Sequence, residues 1–148
     1  MRFDLETRAS PDQVRRALTD FSHARPRTWR RSLDARAYEL RSRGESWAIA
    51  RESTSGSPAW VVSRYDWSDP DVVRWTVLES SYGGGGDGWV RITPRDDGGS
   101  TVHAGWSATG ARRQRVLLFV IHHGPANRLI ARMWRSALED FAAAEDTR

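Results

Sequence analysis

Five residues in the middle of the chain, Arg51, Tyr65, Asp66, Glu79 and His103, have side chains able to move a proton or to donate to a developing oxyanion. An acid/base pair with a neighbouring donor is what enolate chemistry on an aromatic or keto substrate requires. All five fall in segments whose apolar residues recur every second position. Strand parity therefore decides which of them share a face, and it does not put all five on one. No catalytic residue is assigned on this basis.

Other chemistry is set aside by spacing. His122 and His123 are adjacent, so on a helix they diverge by about 100° and do not chelate one ion. A place before Gly124 at a helix end, where histidine meets free carbonyls, accounts for them. The run Gly83 to Gly88 lacks the Lys-Ser/Thr end of a phosphate loop and has no helix after it, so it reads as a hairpin at a cavity rim. No G-x-S-x-G elbow occurs. With no cysteine there is no disulfide, thiolate site or Cys nucleophile. No metal or cofactor is expected.

The 148 residues suit one domain, 1–148, with a sizeable core. Basic residues number 23, every one of them Arg, against 19 acidic, for a net charge of +4. Arg and Asp interleave along most of the chain, which describes a solvated surface and not a stripe for nucleic acid. The Arg-rich stretches 25–31 and 112–115 are the places where an anionic surface would touch. Val116 to Ile121 is the longest uncharged apolar run, too short to span a bilayer. These features predict a cytoplasmic protein without stable membrane insertion, either monomer or homodimer.

Those side chains must be positioned by elements whose order is plain. Phe3, Leu5 and Thr7 alternate with Asp4, Glu6 and Arg8, predicting a strand. Ser10 as N-cap, Pro11 at the first helical position and Val14, Ala17, Leu18 and Phe21 at helical spacing predict a helix. Pro26 punctuates it, and residues 27–31 predict a short second helix around Trp29. Strands are predicted near 34–42, 45–53, 59–67, 71–80, 88–95 and 100–109, joined by short breakers, hence an antiparallel meander. Helical spacing returns from Leu117, is interrupted at Gly124-Pro125, and continues through Leu129, Ile130, Met133, Trp134, Ala137, Leu138 and Phe141 to about Ala144.

Several stretches carry a family likeness. They are Ala9-Ser10-Pro11-Asp12-Gln13-Val14, Tyr38-Glu39-Leu40 through Trp47-Ala48, Trp60 to Pro70 with Tyr65-Asp66-Trp67, and Thr93-Pro94 followed by Gly98-Gly99-Ser100-Thr101-Val102. With the element order they make the chain resemble the START-like, Bet v 1-like (SRPBCC) superfamily, within it the polyketide cyclase/dehydrase and lipid-transport group. The resemblance implies an α+β helix-grip fold. In it an antiparallel curved sheet of about seven strands (β-α-α-β6-α) wraps around a long C-terminal helix. It carries no catalytic signature over, residue by residue.

A sheet gripping a helix leaves room for a ligand between them. The predicted ligand-facing set is Trp29 near the mouth, Trp47, Ile49 and Arg51 on the third strand, Val61, Tyr65 and Trp67 on the fourth, Trp106 on the last, and Ile130, Met133 and Trp134 on the terminal helix. An inward Arg51 would need a partner such as Glu79 or a ligand carboxylate or enolate, and a register slip of one residue would turn it outward. Structure alone also explains tryptophans at strand spacing, as core or cross-strand pairs. The leading expectation is a binder of a hydrophobic or aromatic, lipid- or polyketide-like small molecule. The alternatives are a polyketide cyclase/dehydratase-type enzyme using the same cavity, and a protein-interaction module.

Overall fold

The computed structural model describes residues 1–109 and 126–148. The Arg-rich stretch 112–115, the helical restart from Leu117, His122-His123 and the Gly124-Pro125 interruption lie outside the described residues.

Ser10 starts the first helix as the sequence predicts. Its Oγ accepts from the Gln13 amide at 3.2 Å, while the Gln13 side chain accepts from the Ser10 amide at 3.0 Å, closing a capping box around Pro11. The helix α1 (Pro11–Thr19) buries Val14, Ala17 and Leu18. The next helix, α2 (Arg25–Thr28), begins two residues earlier than predicted. Pro26 opens it instead of ending the segment, because a first-turn proline has no intrahelical N–H to lose.

Among the described residues seven strands follow the order β1 (Arg2–Thr7), β2 (Glu39–Arg43), β3 (Trp47–Ser53), β4 (Trp60–Asp66), β5 (Val72–Ser80), β6 (Gly85–Pro94) and β7 (Ser100–Thr109). They form one antiparallel sheet ordered β1-β7-β6-β5-β4-β3-β2, so β2 to β7 is a meander and β1 returns to pair with β7. The strand predicted from residue 34 is shorter than expected. Asp34 folds Asp34–Ala37 into a turn, its carboxylate accepting from the Arg36 amide at 2.9 Å and its carbonyl from the Ala37 amide at 3.1 Å. The glycine run is likewise not all loop. Gly83, at φ +72°, makes the turn, while Gly85 to Gly88 belong to β6.

Two irregularities shape the sheet, one between Leu40 and Ser42 and one where Val62 pairs with Glu79 but Ser63 pairs with Val77. The second leaves Leu78 unpaired and 51% exposed. Such bulges bend a strand and increase its twist. The helix α3 (Ala126–Asp146) packs against β1, α1 and α2. The core between helices and sheet gathers Phe3 and Leu5 of β1, Val14 and Leu18 of α1, Trp29, Val73, Val90, Val102 and Leu138. Two side-chain clamps fix α1. Arg15 donates to the Trp67 carbonyl at 2.7 Å and the Pro70 carbonyl at 2.8 Å, and Arg16 binds Glu145 of α3 through two hydrogen bonds of 2.9 and 2.7 Å. The architecture is the helix-grip arrangement expected from the sequence. No helix among the described residues is long and apolar enough to cross a membrane.

Candidate functional site

Successive residues of a strand face opposite sides, so parity assigns each side chain a face. On β3 the inward residues are Ala48, Ala50 and Glu52, all buried. On β4 they include Val61, Ser63 and Tyr65, and on β5 Trp75, which pairs directly with Tyr65. Between this face and the helices lies a cavity of about 570 Å³. Its walls are mostly apolar, from Leu18, Trp29, Val73, Trp75, Val90 and Trp134. The chain reaches in close to make room. A Cβ on Gly88 would stand 2.0 Å from the Trp75 ring, and one on Gly86 2.2 Å from the Ser107 carbonyl oxygen. Only glycine leaves the space these neighbours occupy, which is why the polyglycine segment continues into β6.

A buried polar cluster interrupts the mostly apolar wall. Arg25 and Glu52 are 7% and 9% exposed, and the Arg25 Nε donates to Glu52 Oε1 at 2.6 Å. The other carboxylate oxygen accepts the Tyr65 hydroxyl. Arg25 Nη1 donates to the carbonyls of Leu18 at 3.2 Å and Asp20 at 3.4 Å, the last turn and cap of α1. The guanidinium also lies 4.0 Å from the Phe21 ring centroid and 5.3 Å from that of Tyr65. Tyr38 secures Phe21 by donating to its carbonyl at 2.8 Å. Burying a charge costs several kcal/mol unless it is paired and hydrogen-bonded, and both conditions hold here.

The electrostatics follow from this packing. Burial raises the Tyr65 phenol well above its ordinary value, and the Glu52 carboxylate adds to the effect. For Arg25, burial alone would favour the neutral form, but Glu52 and then Tyr65 outweigh it and leave the guanidinium above its usual range. Tyr38 is raised, mainly by burial. The cluster is a bound cation, a bound carboxylate and a phenol kept protonated.

The residues predicted to face a ligand divide into three groups. Trp29, Val61, Tyr65, Trp106, Ile130 and Trp134 line the cavity. Trp29 is fixed there by its indole N–H, which donates to the Ala17 carbonyl at 3.2 Å, and by an edge-to-face contact with Trp134 at 5.2 Å. Trp67 is stacked on Phe21, at 5.7 Å and 5°, and Met133 of α3 is half-buried; neither lines the cavity. Trp47, Ile49 and Arg51 are on the opposite face of β3. The predicted inward orientation is corrected by one residue, because Ala48 and Ala50 pack against Phe21 on the inner side. Arg51 instead lies 4.5 Å over Trp60, and Glu79 forms an ion pair with Arg41 at 3.6 Å.

Of the remaining acid/base candidates, Asp66 is bound to Ser68 and Arg64, and His103 to Asp4 at 2.7 Å on the outer face. Neither joins Tyr65. Among the described residues no group of three or more His, Asp or Glu side chains is placed to hold a metal. Sequence reasoning missed Arg25 and Glu52. The signal for Glu52 was the other parity of its strand; for Arg25 it was a place one residue before a helix-opening proline.

No family model matches the sequence, and no curated protein matches it. Solved structures do match. TTHA0849 from Thermus thermophilus is 15% identical, with 98% of this chain and 97% of that one covered at a TM-score of 0.72. Norcoclaurine synthase from Thalictrum flavum is 14% identical, covering 95% and 83% at 0.67. The ZhuI aromatase/cyclase from Streptomyces sp. R1128 is 16% identical, covering 93% and 92% at 0.65.

Proposed function

Starting from a fold that is that of the START-like, Bet v 1-like superfamily, we propose that this chain binds a small hydrophobic or aromatic molecule between its sheet and its terminal helix. The observation that carries the reading is the cavity of about 570 Å³, mostly apolar and bordered by the buried Arg25–Glu52–Tyr65 cluster. Ligand pockets typically have about 300–1,000 Å³, apolar walls and a few polar groups that orient the occupant. The ligand is lipid- or polyketide-like in class, and residues 1–148 act as one domain in the cytoplasm, as monomer or homodimer.

The test is native mass spectrometry of protein purified from its own host, together with uptake of the neutral dye Nile red. The expected result is one small molecule or one dye per chain, with uptake abolished in Val61→Trp, which fills the cavity from β4. Val61→Trp protein that is folded and still takes up dye would overturn the assignment of the site.

A second reading has its own observation. Tyr65 and Glu52 meet at the cavity wall, a proton donor beside a proton acceptor, which suits cyclase or dehydratase chemistry on a bound polyketide. One solved structure of similar fold is an aromatase/cyclase. Tyr65→Phe protein that retains both ligand and any turnover would reject this enzymatic role.

A further inference from the structure

The polar end of the cavity has a charge balance that restricts its occupant. Among the described residues three charged side chains border the cavity: Arg25, Glu52 and Asp87. Asp87 is exposed and accepts from Thr76 Oγ1 at 2.7 Å, outside the cluster. Arg25 and Glu52 neutralise each other through the 2.6 Å bond. What they leave unspent is specific. Arg25 uses Nε and Nη1, and Nη2 has no hydrogen bond to a described residue. Glu52 accepts one bond on each oxygen, so half of its roughly four acceptor positions remain. Tyr65 donates its O–H to Glu52 and has only its oxygen lone pairs left to offer.

The cluster therefore presents one donor nitrogen, with two N–H bonds, beside several acceptors, and no net charge. A hydroxyl group matches it, accepting from Nη2 and donating to Glu52 or Tyr65. A carboxylate does not. It has no proton to donate, it faces the lone pairs of Glu52, and it brings a net negative charge into an apolar cavity whose cation is already paired. Resting on the reading of the cavity as an aromatic- or apolar-ligand site, we infer that it selects neutral phenols or alcohols over the corresponding carboxylic acids, and that Glu52 sets this selection.

Displacement of bound Nile red by 2-naphthol and by 2-naphthoate near neutral pH tests this, since one ring system then carries either a neutral hydroxyl or a carboxylate. In the natural protein naphthol is expected to displace the dye at a concentration at least about tenfold lower than naphthoate. Glu52→Gln keeps the shape and removes the neutralising charge, so naphthoate is expected to gain about tenfold or more. That gain should vanish in Arg25→Met/Glu52→Gln, where no buried cation remains; this variant also serves if Glu52→Gln fails to fold, because naphthol binding must then weaken relative to the natural protein. Naphthoate binding as tightly as naphthol in the natural protein, with Nile red still taken up, overturns the selection and spares the binding reading. An unchanged preference in folded Glu52→Gln overturns the role of Glu52. Failure of Nile red and both naphthyl compounds to bind overturns the binding reading and the selection with it.

Discussion

Arg51 and Glu52 are neighbours on β3, yet they belong to different faces of the sheet and to different arginine environments. On the outer face the Arg51 guanidinium lies 4.5 Å over Trp60. On the inner face Glu52 holds Arg25, whose guanidinium lies 4.0 Å over Phe21. Both arginines stack on an aromatic ring. The difference is that Arg25 is buried with a carboxylate and two carbonyls, whereas Arg51 is half-exposed and its buried Nε has no hydrogen bond to a described residue. Stacking is thus common to a surface contact and to an internal anchor, and desolvation with a bound counter-charge distinguishes them. Arg16 and Glu145 complete the comparison, since they form a two-bond ion pair in water.

The sharpest way to break the comparison is Glu52→Ala, which strands a buried guanidinium. A loss of about 3–5 kcal/mol in denaturant-monitored stability is expected. A loss below about 1 kcal/mol would place Arg25 on the same footing as Arg51. Tyr65→Phe removes one hydrogen bond to the same carboxylate and should cost about 1.5–3 kcal/mol. It also carries a pH signature. Because the Tyr65 phenol is raised in the folded state, its contribution is complete below the ordinary value of 10.0 and is lost as pH rises through the higher folded value. Stability measured above pH 10.0 should fall less steeply in Tyr65→Phe, with a smaller decline left from Tyr38, which is also raised.

Gly88→Ala tests the apolar wall with the three residues of the cluster left in place. Its Cβ would displace Trp75, and a cost of about 1–3 kcal/mol with weakened Nile red uptake is expected. On the outer face Arg51→Ala should cost about 1 kcal/mol or less. The smallest effect, about 0.5 kcal/mol and reduced further by salt, is expected for Glu145→Gln. The hydrogen bonds from Arg16 hold Glu145 below its ordinary value of 4.5, so this contribution is present above that pH and declines as pH falls.

Where sequence and structure agree, short-range rules were sufficient. Ser10, Pro11 and Gln13 encode the start of α1 among four residues, and the breakers between strands encode the meander. Parity on β3 was harder to read because both of its faces are apolar. Trp47 and Ile49 are larger than Ala48 and Ala50, so bulk points outward, while the space inside is taken by Phe21 and Trp67 from elsewhere in the chain. Arg25 and Glu52 are separated by 27 positions, and no local pattern joins a helix-opening arginine to a strand glutamate. Their meeting depends on how α2 is laid across the sheet, a tertiary fact. Trp75 was hidden in another way, since the glycines that admit it look like loop residues until β6 is paired with β5.

The aromatic chain along the cavity has an optical consequence. Trp29 and Trp134 are 5.2 Å apart at 62°, Phe3 is 5.3 Å from Trp134, and Trp106 is 5.8 Å from Phe3. Transition dipoles this close and this oblique couple, so their excitations are shared and absorb left and right circularly polarised light unequally, in paired bands of opposite sign. Three of these rings border the cavity, so an aromatic occupant would enter the same coupled set and change the shape of those bands. The protein has a chromophore array built into its own cavity wall, readable in the ultraviolet without any added label.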